Sequence, residues 1–185
     1  MAVGNFAASM NAAGIVVSRR KPGHFVALTE DGRIDAVIAQ GGAKLAAVLE
    51  TRAPINLNNP MKGSSDGSVA LAPVNMKSVD PYDIAIAMPA PDGEPAVSDM
   101  DRDVWSKFRL AYDVTLEAPP YKVTGVLLLL PSQDPLSLRE RGTELFLAVF
   151  RPTIAIGFST LKDVPGDSIL INRSHLKKVN ATVRR

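Results

Sequence analysis

Apolar and polar residues alternate most clearly in the second half of the chain. Over 107–116 (KFRLAYDVTL) every second position is apolar, which places Phe108, Leu110, Tyr112, Val114 and Leu116 on one face of a strand. A second strand is predicted over 121–130 (YKVTGVLLLL), with a continuous apolar end that implies burial on both faces. Gly125 inside that run predicts a bulge or a sharp bend. Further strands are predicted over 144–152 (ELFLAVFRP), 153–159 (TIAIGFS), 168–172 (SILIN) and 176–179. Pro119-Pro120, Asp134-Pro135 and Pro165-Gly166 supply turns, and 136–141 reads as a turn of helix.

The first half is less regular. Segments 14–18 and 24–28 around Pro22-Gly23 read as a β-hairpin, and Asp31-Gly32 marks a second turn before a strand over 34–38. Gly41-Gly42 breaks the chain ahead of a short helix over 43–51, rich in Ala, Leu and Lys. Residues 52–100 hold seven prolines and a polar loop over 63–68. Two apolar stretches interrupt them, 69–74 and 82–88, the latter alternating with period two. Residues 99–105, with Asp101 and Asp103, suggest one helical turn. Ser78-Val79-Asp80-Pro81 echoes Ser132-Gln133-Asp134-Pro135, but Asp-Pro is a common turn opener and no longer period repeats.

The proline-rich segment 89–99 therefore divides an N-terminal region, 1–88, from a domain over 100–182. The expected fold is mainly β: a C-terminal small bent β-barrel, preceded by a β-hairpin plus short helix and proline-rich loops. The strand over 168–172 is short, apolar and free of proline and lysine, and is expected to be an edge that pairs between subunits.

Composition narrows the chemistry. With 46% apolar and 22% charged residues the 185-residue chain is globular rather than disordered. The absence of cysteine excludes disulfides, zinc–thiolate sites and thiol nucleophiles. No basic residue precedes Arg19, and the longest apolar run spans 126–130, so neither a secretory leader nor a membrane span is expected and a cytoplasmic location is. The net charge of +2 is small, but it is unevenly spread: residues 168–185 carry five cations and no acid, whereas 1–100 carry 8 − 10 = −2.

Several residues carry the strand-bend-turn pattern: Gly125 in mid-strand, the polar turn 132–135, and the closing strand-turn-strand Ile169-Leu170-Ile171-Asn172-Arg173-Ser174-His175-Leu176. Over about 108–179 this resembles the Sm-like small β-barrels, whose closing signature is an apolar strand, Arg-Gly and a short last strand; here Ser174 stands after Arg173. The run Leu130-Pro131-Ser132-Gln133-Asp134-Pro135-Leu136-Ser137-Leu138-Arg139-Glu140-Arg141, with Ile171-Asn172-Arg173, is also similar to a group of bacterial proteins. The resemblance implies a small bent β-barrel and brings no known activity.

No catalytic set assembles from the remaining residues. His24 and His175 lack a nucleophile partner in sequence. Asp99, Asp101 and Asp103 fail the calcium-loop spacing, since Val104 and Leu110 occupy the glycine and glutamate positions. Gly41-Gly42-Ala43-Lys44 lacks the spacing of a phosphate loop. The sequence thus predicts no enzyme, cofactor or metal, but a structural or assembly subunit that binds other protein subunits or itself. The alternative is an RNA-binding module using the basic C-terminal region, although that region lacks stacking aromatics. Arg139, Arg141, Arg173, His175, Lys177 and Lys178 are the candidate contacts for either partner.

Overall fold

The computed structural model describes residues 23–39, 44–140, 142–157, 159–161, 164 and 166–184. The strand expected at 14–18, the Gly41-Gly42 break and Arg141 lie outside the described residues. The elements are β1 (His24–Thr29), β2 (Gly32–Ile38), α1 (Leu45–Glu50), β3 (Ile55–Gly63), β4 (Ala72–Pro73), β5 (Ser78–Val79), β6 (Ile84–Pro89), α2 (Asp99–Phe108), β7 (Leu110–Ala118), β8 (Tyr121–Leu129), β9 (Phe146–Ile156), β10 (Ser159–Thr160), β11 (Ser168–Asn172) and β12 (Lys178–Val183). Turns of 3-10 helix at Pro81–Asp83 and Arg173–His175 link β5 to β6 and β11 to β12, and a third lies at Pro135–Ser137.

All pairings are antiparallel and join the strands into one sheet, in the order β12-β7-β8-β9-β11-β6-β1-β2-β3-β4, with β10 on β9 and β5 on β3. The mainly β expectation holds, but the C-terminal strands do not close into a separate small barrel. The sheet is open at β12 and at β4, and it runs on from β11 through β6 into the N-terminal half. Residues 168–172 are thus an interior strand, paired to β9 on one side and β6 on the other, not the expected edge. The two strands predicted at 144–152 and 153–159 are largely one, β9, bent at Arg151-Pro152. The proline-rich stretch hides another, β3, whose Asn-Pro composition masks its period.

One winding occurs twice. In the first unit β1, β2 and β3 form a meander, β4 and β5 return along β3, and β6 pairs back onto β1. In the second unit β7, β8 and β9 form the meander, β10 and β11 return along β9, and β12 pairs back onto β7. The registers agree residue for residue. Phe25↔Pro89, Val26↔Met88, Ala27↔Ala87 and Leu28↔Ile86 in the first unit match Val114↔Ala181, Thr115↔Asn180, Leu116↔Val179 and Glu117↔Lys178 in the second. The ladder of second and third strands shifts register at Ala36 in one unit and at Gly125 in the other, each four residues beyond the start of its second strand. The Ser-x-Asp-Pro echo is not the trace of this duplication. Asp80 caps the 3-10 turn before β6, and its counterpart is Asn172, which caps the turn before β12; Asp134 caps a turn between β8 and β9.

The central strands divide two cores. Successive residues of β1 and β11, and of β6 from Ile86 onward, face opposite ways: Val26, Ile86, Ile169 and Ile171 join one core, while Phe25, Ala87 and Leu170 join the other. Every residue of β6 and β11 is buried, which explains why the alternation read at 82–88 does not become an inside and an outside. Each core borrows from the other unit. Val26, Leu28 and Met88 complete the core of the second unit, and Leu145, Phe146 and Leu170 complete that of the first.

Candidate assembly interface

The join between the units is the best-defined interface in the molecule. Leu170 pairs with Ala87 and Ile171 with Ile86. Asn172, fully buried, donates from Nδ2 to the Pro81 carbonyl at 3.0 Å, while its Oδ1 accepts from the Ser174 amide and hydroxyl at 2.9 and 2.7 Å. His175 Nε2 donates to the Tyr82 carbonyl at 2.6 Å. Glu50 at the end of α1 accepts from the amides of Leu145 and Phe146 at 3.1 and 2.8 Å, so a helix of one unit holds the first residues of a strand in the other. Tyr121 reaches from β8 to the Thr29 carbonyl at 2.5 Å and to Ser65 Oγ at 2.7 Å; burial pushes its phenol pKa up.

At one end of the sheet lies β12, and at the other β4 and β5 lie in succession along β3; β12 and β5 are the counterparts of the strands joined in the middle. β5 corresponds to β11, and β12 corresponds to β6, so the molecule carries one made junction and both halves of an unmade one. Arg184 donates to the Ala111 carbonyl at 2.9 Å, which fixes the alternation of β12 and turns the N–H groups of Val179 and Ala181 away from β7. On β5, Leu57 donates to the Lys77 carbonyl at 2.9 Å, so Ser78 turns its backbone groups away from β3. Among the described residues no strand pairs with either outward side.

The candidate residues fall mostly around this interface but do not converge on one pocket. Arg173 donates to the Gly142 carbonyl and His175 to Tyr82, so both tie loops to the 3-10 turn. Arg139 donates to the Lys177 carbonyl at 2.9 Å. Lys177 and Lys178 are exposed at the start of β12, with Lys178 4.0 Å from Glu117. Sequence reasoning missed the opposite edge, since β5 is only two residues long and leaves no period to read. Its acids, Asp80 and Asp83, are exposed, with Lys77 beside them.

Other groups that invite a chemical role are occupied structurally. His24 sits between two carboxylates, with Nε2 2.7 Å from Asp35 and Nδ1 hydrogen-bonded to Asp92; this fastens the 89–99 connection onto β1 and β2. Ala90 donates to the His24 carbonyl at 3.1 Å, and a Cβ on Gly93 would meet that oxygen at 2.3 Å. Asp99 and Asp101 lie in the first turn of α2, where Asp101 and the Ser98 cap bond reciprocally and both acids complement the helix dipole. No group of three His, Asp or Glu among the described residues is placed to hold a metal. A cleft of about 510 Å³ lies between α1, α2 and β8–β9, floored by Leu127 and Phe146. Its rim cations are engaged: Arg109 stacks 4.2 Å from the Trp105 ring centroid, and Lys44 lies 3.7 Å from Asp101. α2 instead shows an exposed apolar stripe, Met100, Val104 and Phe108, at four-residue spacing.

No family model, curated protein or solved structure matches the chain. No helix among the described residues is long and apolar enough to cross a membrane.

Proposed function

We propose that this chain is a non-enzymatic assembly subunit that docks protein partners through the open ends of its sheet, and that its repeated unit is a bent barrel of the Sm-like kind. The observation that carries the reading is the pair of unmatched strands, β12 and β5, on a fold that already joins their counterparts. An exposed strand end is a template for another chain unless it is covered, and β12 has no proline and no register shift from Val179 to Val183, its lysine standing at its first residue. The exposed Met100, Val104 and Phe108 add an apolar surface of the kind that partners bury. The Sm-like part rests on the Gly125 bend and on the strand, 3-10 turn, strand closure formed by β11, Arg173–His175 and β12.

The test is the native mass of the protein purified from its own host, beside an Ala181→Pro variant. Proline there removes an outward N–H without touching the ladder to β7. The expected result is a complex heavier than one chain that the variant loses. A single chain in both preparations sinks the reading.

A further inference from the structure

Resting on that assembly reading, we propose that the partner of each open end is a second copy of this chain, with β12 of one copy laid antiparallel against β5 of the next in the register of the β11–β6 junction. The register follows from the duplication. Leu170 corresponds to Ser78 and Ala87 to Val179, so the Leu170↔Ala87 pair becomes Ser78 of one copy opposite Val179 of the next; Ile171↔Ile86 becomes Val79 opposite Lys178. The backbone agrees, since Ser78 and Val179 both turn their hydrogen-bonding groups outward.

Charge favours this pairing over an unrelated occupant. In the internal junction the polar positions of the β11 side are Asn172 and His175; their counterparts on the β5 side are Asp80 and Asp83. The internal β6 side receives those bonds on the Pro81 and Tyr82 carbonyls and pairs through Ile86 and Ala87, and its counterparts are Arg173, Ser174, Lys178 and Val179, with Lys177 beside Lys178. Asp80 thus falls opposite Arg173 and Asp83 opposite Ser174, so an acidic corner lies against the basic one formed by Arg173, Lys177 and Lys178, with Lys77 the one cation on the acidic side. Part of the uneven charge along the chain, Asp80 and Asp83 against Arg173, Lys177 and Lys178, lies on the two halves of one interface. Because the contact is head-to-tail, each copy keeps one end of each kind, and copies close into a ring or extend as a filament.

The chain has no cysteine, so a Ser78→Cys/Val179→Cys variant makes a clean probe of the register. Under oxidation the double variant should give a ladder of multimers on a non-reducing gel. Each single variant alone should stay monomeric, and the two singles mixed should give dimers. Sedimentation of the full chain at tens of micromolar adds a charge test. Wild type should sediment as a multimer that shrinks with added salt. Asp80→Asn/Asp83→Lys, which keeps the turn cap in the form Asn172 already has, should be monomeric, as should Lys177→Glu/Lys178→Glu; mixed, they should recover the multimer. Single variants that cross-link as readily as the double, or charge variants that assemble unchanged, overturn the proposal. A purified wild type that is monomeric yet runs as a heavier complex from its host overturns the second copy and leaves the assembly reading standing; monomer in both removes both. A monomer that retains a labelled oligouridylate at low salt, and loses it with Lys177→Glu/Lys178→Glu, overturns the proposal in favour of RNA.

Discussion

Asn59 and Arg151 hold the same place in the two units. Each sits in the left-handed region, at φ 50° and 48°, each immediately precedes a proline, and each is the first of the two residues that the register shift leaves unpaired on its third strand. The side chains share nothing, so the backbone bend is what the two positions have in common. A left-handed residue with a Cβ costs about 1–2 kcal/mol. Arg151→Gly is expected to raise the melting temperature or leave it unchanged, whereas Arg151→Val should lower it by a few degrees. Thermal unfolding by circular dichroism checks this, and a valine variant as stable as wild type would show that the bend is not under constraint.

Gly125 and Ala36 make a second matched pair with opposite tolerances. A Cβ on Gly125 would lie 2.6 Å from Val149 Cγ1 and 2.7 Å from the Phe150 carbonyl, while Ala36 occupies the same bulge with its methyl buried. Gly125→Ala should cost about 1–3 kcal/mol through overpacking, measured by denaturant unfolding. Ala36→Gly should cost only about 1 kcal/mol from lost packing and added chain entropy. Equal costs would contradict the close approach at Gly125.

The apolar run at 126–130 separates into buried and exposed positions. Leu127 and Leu129 are 2% and 4% exposed, Leu128 is half-buried, and Leu130 is 44% exposed. Leu127→Asp strands a carboxylate in the core and should unfold the protein, since several kcal/mol is most of a small domain's stability. Leu128→Asp, at the strand position beside α2, should fold with a modest loss. Soluble expression and melting of the two variants decide between this ordering and a run buried throughout.

The shared cores predict how the chain behaves when divided. Residues 99–185 alone would uncover Ile169, Ile171 and Leu170 along β11, where β6 lies in the whole protein. That fragment is expected to aggregate or to lack cooperative melting. Co-expressed with 1–98 it should form a soluble pair, read by gel filtration. A fragment that melts cooperatively by itself would show that the second unit closes its own core.

The local elements were legible because local physics decides them. Alternation placed β7, although Phe108 of that pattern ends α2 and Leu110 is exposed; a continuous apolar run placed β8, Asp31-Gly32 set the first described hairpin turn, and Gly125 marked the bulge. The Ala- and Leu-rich run gave α1, and the uneven charge was already plain. Three things needed the tertiary structure. β3 was hidden because its pairing partner, not its composition, holds Asn and Pro in a strand. The duplication was invisible because the units share registers, bulges and bends rather than side chains, and a backbone register is a relation between segments distant in sequence. The identity of the edge followed from which neighbour each strand found. Apolar Ser168–Asn172 looked like a template for another chain, but β6 covers it within the same molecule, and the role passes to β12, whose lysines had read only as a basic tail.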